Sequence, residues 1–160
     1  MEQRPSQSIV QDKSFRFAVQ IVGCIRRQPR DHVNLVLTRQ LLRSGTSVGA
    51  NIAEALGGQS SKDFISKLAI AAQSKKDFLS KMSIALKEAR ETHYWLRVIR
   101  DSGVANGVEA EAHIPACQEL VRLLSSITLT TRENLGTTTQ ARRVDHHNST
   151  FHTPNSTLRP

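Results

Sequence analysis

Apolar residues recur along this chain at spacings of three and four, the period of a helix with one buried face. The first run is Phe15, Ala18, Ile21, Val22 and Ile25, with Asp12 or Ser14 placed to cap it. Arg26, Arg27 and Arg30 gather at its end beside Pro29, where positive charge complements the helix dipole and proline stops the helix. Residues 1–11 are polar and are expected to lie outside it. Asp31 is placed to cap a second helix through Leu35, Leu37 and Leu41, and Gly57-Gly58 to end it. A third helix is expected over 60–100, joined to the second by a short antiparallel turn. It carries Leu86, Ala89, His93 and Leu96 on one face, with Lys87, Glu88, Glu91 and Thr92 on the exposed one. Asp101-Ser102-Gly103 ends it, and a loop at 104–110 contains Asn106-Gly107. A fourth helix has Pro115 in its first turn and a stripe of Cys117, Leu120, Val121, Leu124 and Ile127, and Gly136 is its expected stop. From Thr137 to Pro160 there is almost nothing to bury, so the tail should be disordered, His146, His147 and His152 included. The pattern predicts an all-α protein: an antiparallel up-down four-helix bundle over 12–135, with a lengthened third helix and a disordered polar tail over 136–160.

Residues 43–56 stand apart from this pattern. Gly45, Ser47, Gly49, Ala50, Ala53 and Ala55 crowd one segment, with Val48, Ile52 and Leu56 at helical spacing among them. Two glycines inside a helix each cost about 1 kcal/mol relative to alanine. A second helix approaching closely would offset that cost, so this stretch reads as the contact seam of the bundle. Asn51 and Glu54 lie beside it, either as hydrogen-bonded seam residues or as surface groups.

The third helix holds an internal repeat. Residues 57–71 align with 71–85 at a constant offset, with Asp63-Phe64 against Asp77-Phe78 and Ser66-Lys67 against Ser80-Lys81. The repeat unit of about 14 residues advances an ideal helix by roughly 1400°, about 40° short of whole turns. The apolar face therefore almost survives the duplication. The extra copy, about 21 Å long at the helical rise, must either project from the bundle or fold back near Gln73.

The segment Arg43-Ser44-x-x-Ser47-Val48-x-Ala50-Asn51-Ile52-Ala53-Glu54-Ala55 resembles the signature of a bacterial four-helix-bundle family, the proteins encoded in 23S rRNA intervening sequences. Accessory proteins of diversity-generating retroelements are similar. The resemblance continues through Lys76-Asp77-Phe78, Ser83 to Ala89, Glu91-Thr92-x-Tyr94-Trp95-Leu96 and Glu119-Leu120-Val121. It implies a four-helix bundle that assembles into ring-like homopentamers. Through the retroelement relatives it also implies RNA and a reverse transcriptase as partners. The family pattern carries one copy of the repeated segment where this chain carries two, which bears on the subunit number.

Charge adds a second line. The 22 basic against 14 acidic residues leave a net charge of +8, which favours polyanionic partners such as RNA or DNA. Arg26, Arg27, Arg30, Lys75, Lys76 and Lys81 are the candidate phosphate contacts. Cys24 and Cys117 are far apart in sequence and read as buried free thiols, with no Cys-x-x-Cys pair and no histidine spacing for zinc. No apolar run reaches the roughly 20 residues that span a bilayer, and the N-terminus lacks the apolar core of a signal peptide. A cytoplasmic protein with no membrane role is expected.

Catalytic patterns are missing. There is no Gly-x-Ser-x-Gly elbow and no phosphate loop. Glu54, Glu88 and Glu91 could face a bundle interior, but none starts the Glu-x-x-His pair of di-iron bundles. The expectation is a non-enzymatic scaffold without cofactor or metal that assembles with itself and binds nucleic acid non-specifically. The alternative is a protein–protein adaptor whose charge keeps it in solution. Surplus apolar surface at Leu35, Val36 and Leu37 and at Tyr94, Trp95, Val98 and Ile99 motivates the assembly.

Overall fold

Among the described residues the chain forms α1 (Pro5–Arg26), α2 (His32–Gly57), α3 (Lys67–Ser102), the short α4 (Gly107–Glu111) and α5 (Ile114–Asn148), and no strand. The structure, a computed structural model, describes the backbone over 5–57, 67–103 and 105–148 and side chains within 9–57, 73–103 and 105–136. No helix among these residues is long and apolar enough to cross a membrane.

The buried positions step by alternating fours and threes. On α1 and the turn after it they are Val10, Ser14, Phe17, Ile21, Cys24 and Gln28. On α2 they include Asn34, Thr38, Leu41, Gly45, Val48, Ile52 and Ala55. On α3 they are Phe78, Met82, Ala85, Ala89, Thr92, Leu96 and Ile99. A mean step of about 3.5 residues is the signature of side chains interlocking between gently supercoiled helices. α5 closes the core with Ile114, Cys117, Leu120, Leu124 and Thr128.

Several of these slots hold polar residues, and each hydroxyl is satisfied inside its own helix. Ser14 Oγ donates to the Gln11 carbonyl at 2.9 Å, Thr38 Oγ1 to Asn34 at 2.6 Å and Ser44 Oγ to Gln40 at 3.0 Å. Thr92 and Thr128 do the same to Glu88 and Leu124, at 2.7 and 2.8 Å. Such back-bonding lets a hydroxyl enter a core without an orphaned donor.

Those polar slots displace the faces read from apolar residues alone. Phe15 and Val22 are exposed, and Phe17 and Cys24 take the inside of α1. Leu35 is exposed, and Asn34 and Thr38 are buried in its place. Glu88 and Thr92, expected on the outer face of α3, are buried. Ile99 belongs to the core, whereas Leu35, Val36 and Tyr94 do remain exposed.

Contacts give the directions. Ile21 lies against Gly45 and Ser14 against Gly49, so α1 and α2 run oppositely. Arg43 reaches Glu88 and Glu54 reaches Lys81, so α2 and α3 do too. Arg100 meets Glu111, and Ala89, further back on α3, meets Cys117, so α4 and α5 return along α3.

The boundaries bear out some expectations and correct others. Asp31 caps α2, its Oδ1 accepting from the Asn34 N–H at 3.0 Å; α2 is described to Gly57, and Gly58 of the expected stop lies outside the described residues. α1 is already helical from Pro5, the first described residue, rather than only after residue 11, and Val10 is buried by this stretch. Gly136 does not stop the last helix, which runs on to Asn148. A lone helical glycine costs about 1 kcal/mol, and among the described residues only Gly103 adopts a positive φ, at 68°, where α3 ends. α4 lies where a loop was expected. The Asn106 side chain caps it, accepting from the Glu109 N–H at 3.1 Å. At Gly107 a Cβ would stand 2.7 Å from the Arg100 carbonyl, so only glycine lets α4 sit this close to α3.

Over the described residues α3 spans 36 positions against 22 for α1 and 26 for α2, and α5 spans 35. The turn between α2 and α3, and most of the first repeat copy, fall on residues 58–66, outside the described residues, as do 149–160 of the expected tail.

Candidate functional site

The six candidate phosphate contacts form two groups. Arg26 and Arg27 end α1, and Arg30 lies in the turn to α2. Lys75, Lys76 and Lys81 lie in the first half of α3, toward the opposite end of the bundle. Along α3, Lys81 and Arg100 are about 28 Å apart at 1.5 Å per residue. Arg26, Arg30, Lys75 and Lys76 are exposed and, among the described residues, have no ion-pair partner. Arg27 instead pairs with Glu109 of α4, and Lys81 with Glu54 of α2. The bond from Arg27 holds the Glu109 carboxyl below the usual carboxylate range, aided by His113.

Arg43 of the signature segment clamps α2 to α3. Its guanidinium spans Glu88, at 3.4 Å, and Glu91. The Trp95 indole N–H donates to the same Glu91 carboxylate at 3.3 Å. Tyr94 stands edge-on to Trp95, ring centroids 5.0 Å apart. Arg43 is the main reason the Glu91 carboxyl lies below its ordinary value. Trp95 is thus packed against the core with its polar atom at the edge, while Tyr94 faces out. Glu88 and Glu91 share Arg43 and Glu54 binds Lys81, so the three carboxylates do not converge. Asn51 bonds the Ser47 carbonyl of its own helix at 2.9 Å, and Glu54 is a surface group.

The small-residue segment packs against α1, as its composition implied. Beside this contact, Phe15, Ala18, Thr46, Gly49, Ala50 and Ala53 line an open groove of about 460 Å³. Phe15, 68 % exposed, stands at the groove as an aromatic knob, and Val19 and Val22 continue an apolar stripe along α1 at helical spacing.

Cys24 and Cys117 are free and buried, as expected. Burial pushes the Cys117 thiol up to about 12, and its S–H donates to the Ala89 carbonyl at 3.3 Å. Cys24 has different surroundings. Its sulfur, a Glu109 carboxylate oxygen and a His113 ring nitrogen lie within 4.8 Å of one another. His113 Nε2 is 3.2 Å from Glu109 Oε1. Gln28 Nε2 donates to Cys24 Sγ at 3.7 Å, and the same amide exchanges bonds of 3.3 and 2.8 Å with the Asn106 backbone. Burial raises the Cys24 thiol above its ordinary value, and the Gln28 bond offsets part of that. Spacing along the chain hides this cluster, since Cys24 is remote in sequence from the other two. The one local signal is Glu109-x-x-x-His113, which places both side chains on one helical face.

The arrangement is matched in known proteins. The family model for 23S rRNA-intervening sequence proteins matches residues 6–75. A crystal structure of a protein with unknown function from the S23 ribosomal protein family of Bacteroides thetaiotaomicron is 37 % identical, with a TM-score of 0.59. The match covers 77 % of this chain and 97 % of that one. No curated protein matches the chain. With the signature segment at the α1–α2 contact and this shared helical fold, the chain belongs to the S23 family of 23S rRNA-intervening sequence proteins.

Proposed function

We propose that the protein is a non-enzymatic, self-assembling helical scaffold that holds nucleic acid through its basic surfaces. The observation that carries this is the apolar face of α1, where Phe15, Val19 and Val22 are 68, 57 and 42 % exposed. Phe15 and the groove beside it form a knob and a hole on one face, which suits the docking of a second copy. The family resemblance sets five as the expected number of subunits. Assembly also matters for charge. The candidate contacts unpaired among the described residues, Arg26, Arg30, Lys75 and Lys76, are a sparse phosphate-binding set, and repeating them around a ring multiplies the contacts a single polyanion can make. The net charge of +8 supports the same reading, and the family's description refers to an intervening sequence of 23S rRNA. A reverse transcriptase is the protein partner that the retroelement resemblance suggests.

Light scattering coupled to size exclusion tests the assembly. A multiple of the 17.8 kDa chain mass is expected, falling to one chain when Phe15 and Val19 are both changed to lysine. Fluorescence anisotropy with labelled RNA and DNA at increasing salt tests the second half. Binding with little sequence preference and a steep salt dependence is expected. An assembly that ignores both polymers at low salt rejects nucleic-acid binding and leaves a protein–protein adaptor.

A further inference from the structure

We propose that Cys24, Glu109 and His113 form a binding site for a divalent transition-metal ion of the zinc type. A thiolate, an imidazole and a carboxylate are the three ligand classes zinc takes. Zinc bonds of about 2.0–2.3 Å place tetrahedral ligands roughly 3.4–3.6 Å apart. The His113–Glu109 pair, at 3.2 Å, is already near that separation. The sulfur lies within 4.8 Å of both, so a side-chain movement of about 1 Å closes the set around an ion with those bond lengths.

The groups around the ligands are arranged for the same task. Gln28 donates to the sulfur, and its amide is itself fixed by two bonds to the Asn106 backbone. Arg27 donates to Glu109 Oε1, the same oxygen that faces His113, and so fixes that carboxylate beside the imidazole. Outer contacts of this kind orient metal ligands and tune their basicity. Cys24 thiolate and Glu109 carry two negative charges against the dication, and the Arg27 guanidinium on Glu109 leaves the loaded site with one net positive charge. Binding releases the Cys24 thiol proton to solvent, since a coordinating thiol is deprotonated outright. The Glu109 and His113 side chains are 20 and 12 % exposed, which leaves an entry path and a fourth position for water.

The site's role follows from where its ligands come from. Cys24 is near the end of α1, Glu109 is on α4, and His113 is in the turn before α5. α4 has only five residues, too few for a helix to persist on its own. An ion bound here bolts that short helix and the start of α5 to α1.

Cobalt(II) added to the chelator-treated full-length protein is the test, because a thiolate–cobalt bond gives a near-ultraviolet charge-transfer band that histidine and carboxylate ligands do not. The expected result is a band that saturates at one cobalt per chain, is displaced by zinc and persists in Cys117→Ser. It should vanish in Cys24→Ser. Glu109→Gln, a near-isosteric change at a partly exposed side chain, should keep the far-ultraviolet helical signal and weaken cobalt binding by about tenfold or more. Zinc should raise the melting temperature of the unaltered protein and not that of Glu109→Gln. Absence of the band in the folded protein overturns the proposal. So does a band that follows Cys117, or cobalt binding with no thiolate signature.

Discussion

A Cβ at residue 45 would stand 2.9 Å from Cγ2 of Ile21, inside the distance real side chains tolerate. Ile21 is fully buried on α1 and cannot swing away. Gly45→Ala should therefore destabilise the protein by about 1–3 kcal/mol of overpacking, offset in part by about 1 kcal/mol of helix propensity. Gly49→Ala is the control: its nearest neighbour, the Ser14 carbonyl, would be 3.4 Å away. That variant should be neutral or more stable. Urea midpoints for the two variants decide it, and equal shifts would remove the close-approach explanation.

Arg43→Gln should loosen α2 from α3 and take away part of the acid sensitivity. The Arg43 bond lowers the folded-state value of Glu91. A lowered carboxyl value contributes stability that is present above the unfolded value of about 4.3 and is lost as pH falls through the folded one. Urea midpoints should therefore differ between the unaltered protein and Arg43→Gln at neutral pH, and converge once Glu91 is protonated. A constant difference across that range would mean that the ion pair is not its source.

His93 should make the fold sensitive to mild acid. Burial lowers its folded value, and Arg97 and Arg100 add to the shift. Folding then opposes protonation, so stability falls as pH drops below the unfolded value of about 6.5 and levels off below the folded one. His93→Gln should flatten the melting temperature between about pH 8 and pH 5. An unchanged slope would place the sensitivity elsewhere.

The phosphate contacts should separate by their partners. Changing Arg26 and Arg30 together to glutamine should lower the log–log salt slope on duplex DNA by about 1.8 if each neutralises one phosphate. Arg27 and Lys81 are already paired with carboxylates, so Arg27→Gln and Lys81→Gln should change it by less. Equal effects at all four positions would reject the distinction.

The elements legible in the sequence were those marked by backbone chemistry. Asp31 starts α2 as its side chain dictates, and the glycines at 45 and 49 announced the close approach of another helix, which is α1. The faces were harder to read. Ser14, Asn34, Thr38 and Thr92 occupy core slots, so a count of apolar residues alone shifts the inner face, placing Ile21 and Leu41 correctly but Phe15, Val22 and Leu35 wrongly inside. Nothing in the residue types shows that a threonine will bond its own helix rather than face water. The pairing of Arg27 with Glu109 joins residues 82 positions apart, and Cys24 approaches the same carboxylate from slightly farther along the chain. Only the docking of α4 onto the end of α1 brings them together.

The alternating steps of four and three on α3 give a meaning to the duplicated segment. In a supercoiled helix with 3.5 residues per turn, about 14 residues make four complete turns, and the 40° deficit of a straight helix disappears. Phe64, Leu68 and Ala71 stand one unit upstream of Phe78, Met82 and Ala85, the residues that fill three successive core slots. The copied stretch thus repeats, in sequence, the spacing of those slots. For a helix built on this ruler, length is quantised: whole heptads, and so this pair of them, can be added without re-aiming a single inward side chain, whereas an insertion that is not a multiple of seven would have to re-evolve the face it rotated.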